Sequence, residues 1–135
     1  MKEADALKAV NSKFVDHWKN LLSLTEWDIQ FRYTKMEDGD LGECSVEAPH
    51  KMDTIVVDVA KHRDANHLLD TVRHELFHVF HAQFEHHRSA ATKFLAPNAV
   101  ELMDELYMLG AEDVVLKMEH LMAKLSIDVH GKMKK

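Results

Sequence analysis

Three residues of this chain have the types and spacing to do chemistry. His74, Glu75 and His78 form His-Glu-x-x-His within Thr71-Val72-Arg73-His74-Glu75-Leu76-Phe77-His78-Val79. Histidines four positions apart stack on one face of a helix, so both imidazoles can reach one metal ion without bending the backbone. Glu75 points about a hundred degrees around the helix from His74, still toward the side where a water on that metal would stand. Imidazole nitrogen is a natural zinc ligand, and a catalytic zinc keeps one position open for water. Such a metal acidifies the water, and a neighbouring carboxylate can take the proton and pass it on. The expected cofactor is therefore Zn2+, with His74 and His78 as ligands and Glu75 as general base.

A five-residue string recurs by chance, and the chain carries 11 histidines. The competing reading is an ordinary helix with solvated imidazoles. The surroundings favour a site, because Leu68, Leu69, Val72, Leu76, Val79, Phe80 and Phe84 keep the i, i+3/i+4 rhythm of a buried helical stripe. The histidines lie beside that stripe.

The elements that must position the site follow from length and pattern. With 135 residues, 46% of them hydrophobic and 30% charged, the chain suits one domain, residues 1–135, with a real core. Its net charge of −6 and the lack of a basic run outside Lys132 to Lys135 argue against nucleic-acid binding. No apolar run has the length of a membrane span, and Met1 to Ala9 lacks the apolar core of a signal peptide. Cys44 is the only cysteine, which excludes an intrachain disulfide and points to a reducing, cytoplasmic setting. Cys44 reads as a small buried hydrophobe more readily than as a fourth metal contact.

Asp5 to Leu24 has helical spacing and predicts one amphipathic helix. At Trp27 the period changes to two, predicting a strand through Thr34. Glu37-Asp38-Gly39-Asp40 supplies turn chemistry for a hairpin into a second strand, Leu41 to Ala48. After a turn at Pro49 to Asp53, Thr54 to Val59 is a third, β-branched strand. Asp64 is the expected N-cap of the central helix, Ala65 to about His87. Arg88 to Ala96 reads as a loop and Pro97 opens the next helix. Val100 to Leu109 is helical, Gly110 either breaks or joins it, and Ala111 to Ile127 resumes the rhythm; the tail from His130 is expected to fray. The fold class is α+β: an N-terminal helix, a small three-stranded sheet of antiparallel leaning, the motif helix and C-terminal helices.

A catalytic zinc usually takes three protein ligands. A third histidine in the extended metzincin pattern is excluded by Phe84 and His81. His81 and Glu85 continue the line of His74 and His78 but lie too far along the helix to reach the same ion. If 100–125 stays in helical phase, Glu101, Glu105, Glu112 and Glu119 fall on one stripe bounded by apolar residues, while Asp113 falls with Lys117, His120 and Lys124 on a solvent face. Glu112 is the expected third ligand, followed by Glu105 and then Glu101. The competing reading is a solvated stripe with i,i+4 contacts.

The strand Trp27-Asp28-Ile29-Gln30-Phe31, a hairpin, the strand Thr54 to Val59 and then His74-Glu75-Leu76-Phe77-His78 resemble small zincin metallopeptidase domains. The nearest resemblance is to the minimal gluzincin type of bacterial and phage genomes, with SprT-like domains more distant. It covers roughly Trp27 to Glu119 and is specific at the motif. It implies a zincin-like fold, zinc on His74, His78 and a downstream glutamate (Glu112), and Glu75 as general base. It also implies that the strand before the motif helix, Thr54 to Val59, is an edge that pairs with an extended peptide substrate. SprT-like proteins use a third histidine further on; His86 and His87 come too soon after the motif for that role. For the oxyanion, Tyr107 and His120 are the available groups.

The function these features imply is zinc-dependent hydrolysis of peptide bonds. The alternatives are a non-catalytic zinc-binding interaction module and a metal hydrolase for a non-peptide substrate. An open coordination position beside Glu75 favours catalysis, since a structural site closes with a fourth side chain.

Overall fold

The computed structural model describes the backbone of residues 1–91, 97–125 and 127–132, and the side chains within these apart from 84, 86–91, 102–104 and 106–109. Among the described residues the fold is α+β, with helices α1 (Glu3–Ala9), α2 (Ser12–Leu21), α3 (Ala65–Ala91) and α4 (Pro97–Lys124) and strands β1 (Asp28–Tyr33), β2 (Gly42–Glu47) and β3 (Met52–Val57). No helix among them is long and apolar enough to cross a membrane.

The expected single N-terminal helix is two. Asn11 breaks it: its side chain accepts a hydrogen bond from the Phe14 amide at 3.0 Å and caps α2. Asparagine satisfies an otherwise orphaned N–H there, which makes a fresh start favourable. Phe14 and Trp18 of α2 are buried and anchor the core with Leu24, Trp27, Ile55, Val57, Leu68, Val72, Leu76, Phe77 and Val79.

The sheet departs from expectation in a way that matters for the site. Its order is β1-β3-β2, so the Glu37–Asp40 turn does not close a hairpin. β1 runs parallel to β3, with Phe31 beside Ile55, and β2 runs antiparallel on the other side, with Cys44 beside Ile55. Thr54 to Val59, expected as a free edge, is thus central and ends at Val57. Both of its sides are paired, leaving no row of amides for a peptide; Val59 opens a 3-10 turn, Val59–Lys61. Among the described residues the free edges belong to β1 and β2.

Asp64 caps α3, accepting from the His67 amide at 2.9 Å. α3 continues past the expected end near His87 to Ala91, so 88–91 of the expected loop are helical, and 92–96 lie outside the described residues. Gly110 is absorbed into α4, which keeps the helix in phase from Pro97 to Lys124. The tail is docked as far as Lys132, with Trp18 Nε1 donating to the Val129 carbonyl at 2.7 Å and Asp128 accepting from the His130 and Lys132 amides.

One buried group runs against ordinary packing. Asp53 points to the helix face of β3, is 3% exposed, and its carboxylate oxygens make no well-formed hydrogen bond, the Thr54 and Ser45 amides being its nearest polar neighbours. Burial pushes its pKa up to about 7, and the Glu75 charge adds to the rise. A carboxyl that holds its proton more tightly when folded stabilises the fold at low pH, and that contribution fades as pH rises from near 4 through about 7. The thermal midpoint should therefore fall between pH 5 and pH 8, and Asp53→Asn should flatten the fall and raise the midpoint at pH 8 by about 5 °C. A midpoint for Asp53→Asn below the parent's at pH 8 would contradict this.

Candidate metal centre and active site

His74 and His78 project from the same face of α3, with ring centroids 4.9 Å apart and planes at 67°. Their Nε2 atoms are 3.2 Å apart. Glu112 of α4 spans them, Oε1 lying 2.8 Å from His74 Nε2 and Oε2 2.9 Å from His78 Nε2. The three potential ligand atoms lie within 4.8 Å of one another, and among the described residues no other group of three His, Cys, Asp or Glu does so. Glu101 and Glu105 lie on exposed positions and do not join them. The continuous phase through Gly110 is what carries Glu112 to the histidines.

The group could hold a metal ion, and its donors are of the kinds that zinc takes. Two imidazole nitrogens and a carboxylate converge on one point, where a metal ion or the imidazole protons can offset the carboxylate charge. Nitrogen and oxygen donors in this ratio suit zinc with a position left open. The orientation of His74 fits as well. Its Nδ1 meets Glu119 Oε1, so Nδ1–H donates to that carboxylate and Nε2 is the ring nitrogen turned to the common point. Glu112 and Glu119 are seven residues apart, two turns along one face of α4. The Glu119 hydrogen bond holds the His74 pKa above the usual imidazole value against the effect of burial. For His78 burial dominates and the pKa falls below it.

Glu75 is 6% exposed and lies against the start of β2. A Cβ at Gly42 would stand 2.9 Å from Thr71 Cγ2, 3.1 Å from the Val56 carbonyl oxygen and 3.7 Å from Glu75 Cγ. Glycine is thus what lets β2 close onto α3 over the motif. Burial pushes the Glu75 pKa up to about 7, while His74 and the Cys44 thiol hydrogen bond pull the other way. Burial pushes the Cys44 thiol up, and the Asp53 and Glu75 charges add to the rise, so it remains protonated beside Glu75. Cys44 is not in the metal-holding group.

A cleft of about 460 Å³ opens over Glu75, His74, Glu112 and Glu119, with residues 39–42 as one wall and the first turns of α3 as the other. His62 fixes that second wall from behind. Its Nδ1–H donates to the Asp58 carbonyl at 2.7 Å, so Nε2 accepts from the Thr71 hydroxyl at 2.8 Å. Burial lowers the His62 pKa and keeps the ring neutral. Sequence reading missed His62 because it stands between two elements, where no periodicity marks it. His81 lies beyond the group, 3.8 Å from Glu85. His120 is exposed and does not line the cleft; the side chains of Tyr107, His86 and His87 lie outside the described residues.

Compared with protein-family models, curated proteins and solved structures, the chain finds no match.

Zinc titration against a competing chelator separates the roles of the two glutamates. Glu112→Ala removes one of three donors and should weaken zinc as severely as His78→Ala. Glu119→Gln leaves all three in place and should weaken it only about ten- to a hundredfold. Equal retention of zinc by Glu112→Ala and the parent would exclude Glu112 as a ligand.

Proposed function

We propose that the chain is a zinc-dependent hydrolase of zincin type that cleaves peptide bonds, with the metal held by His74, His78 and Glu112. The observation that carries the reading is the convergence of these three side chains beside a buried, cleft-facing Glu75. The order of three strands, motif helix and returning helix, with the glutamate on the return, supports the zincin comparison.

Bound zinc would supply Lewis acidity, polarising the scissile carbonyl and making water nucleophilic near neutral pH. The chain's own residues would do the rest. Glu75 takes the proton of the attacking water and delivers it to the departing amine, so one carboxylate serves as base and then as acid. A carboxyl with a pKa near 7 is matched to that exchange. Cys44 sets a neutral thiol beside Glu75, and Glu119 keeps His74 turned to the metal.

The substrate strand belongs on β2. Its outer edge is unpaired among the described residues, and Gly42 brings it to the cleft with Glu75 beneath. An extended peptide laid on that edge gains backbone hydrogen bonds independent of its sequence. A purely structural site, closed by a fourth side chain, would leave Glu75 without a task; here Glu75 faces the cleft.

Glu75→Gln preserves shape and cannot accept a proton. It should keep zinc at parent stoichiometry and lower turnover on a peptide library by about 10²–10⁴-fold. Absence of turnover by the zinc-loaded parent would favour a zinc-binding interaction module instead. Loss of zinc in Glu75→Gln would make Glu75 a ligand.

A further inference from the structure

We infer that the chain pairs with a second copy of itself along the outer edge of β1, joining two three-stranded sheets into one. Among the described residues β1 is an edge strand with β3 on one side only. It has neither proline nor glycine over Asp28–Tyr33, and its six residues pair with β3 in unbroken register. Edges of this kind are templates for another strand unless protected.

Backbone direction fixes which residues can pair. The Asp28 amide donates to the Lys51 carbonyl at 2.9 Å and the Thr34 amide to the Val57 carbonyl at 3.1 Å. Even-numbered positions of β1 therefore direct their backbone groups inward to β3. Ile29, Phe31 and Tyr33 direct theirs to the free edge. An antiparallel partner must set outward-directed residues against outward-directed residues. A two-fold axis at Gln30 meets this condition, placing Ile29 opposite the second copy's Phe31 and Phe31 opposite its Ile29. Each such pair exchanges two bonds, giving about four backbone hydrogen bonds in all.

The side chains are complementary in the same register. Asp28, Gln30 and Arg32 share the exposed face of β1, and Ile29 and Phe31 are half-buried on the other. The axis at Gln30 sets Asp28 opposite the second copy's Arg32 twice, at positions between the hydrogen-bonded pairs where side chains stand closest. Arg32 has no ion pair within its own chain among the described residues, and Asp28 is held only by Gln30 Nε2 at 2.7 Å. On the other face Ile29 and Phe31 would extend the apolar layer under both sheets. On β2 an axis at Ser45 sets exposed Glu43 against the second copy's Glu47 twice, and an axis at Cys44 sets Glu43 against Ser45 and gains no charge pair. Charge thus selects β1 for self-pairing, and the joined sheet, β2-β3-β1-β1-β3-β2, leaves both clefts open at its outer strands.

Sedimentation of the full chain over a wide concentration range tests this. The parent should show a monomer–dimer equilibrium. Arg32→Asp, which places aspartate against aspartate at two positions, should weaken the dimer by about tenfold or more, as should Asp28→Arg. The double variant Asp28→Arg/Arg32→Asp restores opposite charges and should recover most of the parent affinity. Both positions are exposed, and an unchanged thermal midpoint will show that each variant is folded. A parent that stays monomeric throughout, a dimer indifferent to either single reversal, or a double variant no tighter than the singles would each overturn the proposal.

Discussion

The contact on which the site depends is the reach of the Glu112 carboxylate across His74 and His78, because it joins the helix that follows the sheet to the helix that returns. Glu112 is 56% exposed at its side chain, and an ion pair so open to water contributes little by itself. The position of α4 must come from elsewhere. Val115, one turn on, is completely buried, with Met118 and Met122 packed against the core. Beyond the helix, the turn at Asp128 to Lys132 is tied to α2 by Trp18 and His17. Apolar burial and the docked tail hold α4 in place, and the carboxylate then meets imidazoles already aligned by helical geometry.

Around that contact the chain accepts groups that weaken the fold. Glu75 and Asp53 are buried carboxyls facing the same interior, each with its pKa raised to about 7. Two such groups repel when both are ionised, and desolvation disfavours the charged form of each. Glu75 has a use for its raised pKa in proton transfer. Asp53 touches none of the three potential ligands, and its effect is exerted on the setting of Glu75 and on stability. Burial of this kind is expected where a site takes precedence over packing.

Much of the site was legible because its signals are local. An i,i+4 histidine pair beside an apolar stripe needs only helical period to be interpreted, and the same period singled out Glu112 once Gly110 was carried through. Glu119 lay on that stripe too, but its hydrogen bond to His74 Nδ1 depends on how α3 and α4 cross, which periodicity does not encode. Strand order was not legible. Thr54 to Val57 is as apolar as a central strand should be, yet pairing partners are set by long-range topology, and the turn chemistry at Glu37–Asp40 suggested a hairpin that β3 instead separates. The break at Asn11 was readable as a cap, although the unbroken apolar spacing from Leu7 to Leu22 hid it. Asp53 was hidden by its place at the head of a strand, where a carboxylate ordinarily marks a turn.

X-ray absorption at the zinc edge of the metal-loaded chain tests the central claim most directly, because it reads the donor atoms and not their consequences. The account predicts two imidazoles and oxygen donors at about 2.0–2.2 Å with coordination near four, and one imidazole fewer in His78→Ala. A sulfur shell at about 2.3 Å, or scattering from three or more imidazoles, would contradict it and move the metal to Cys44 or to other histidines of the chain.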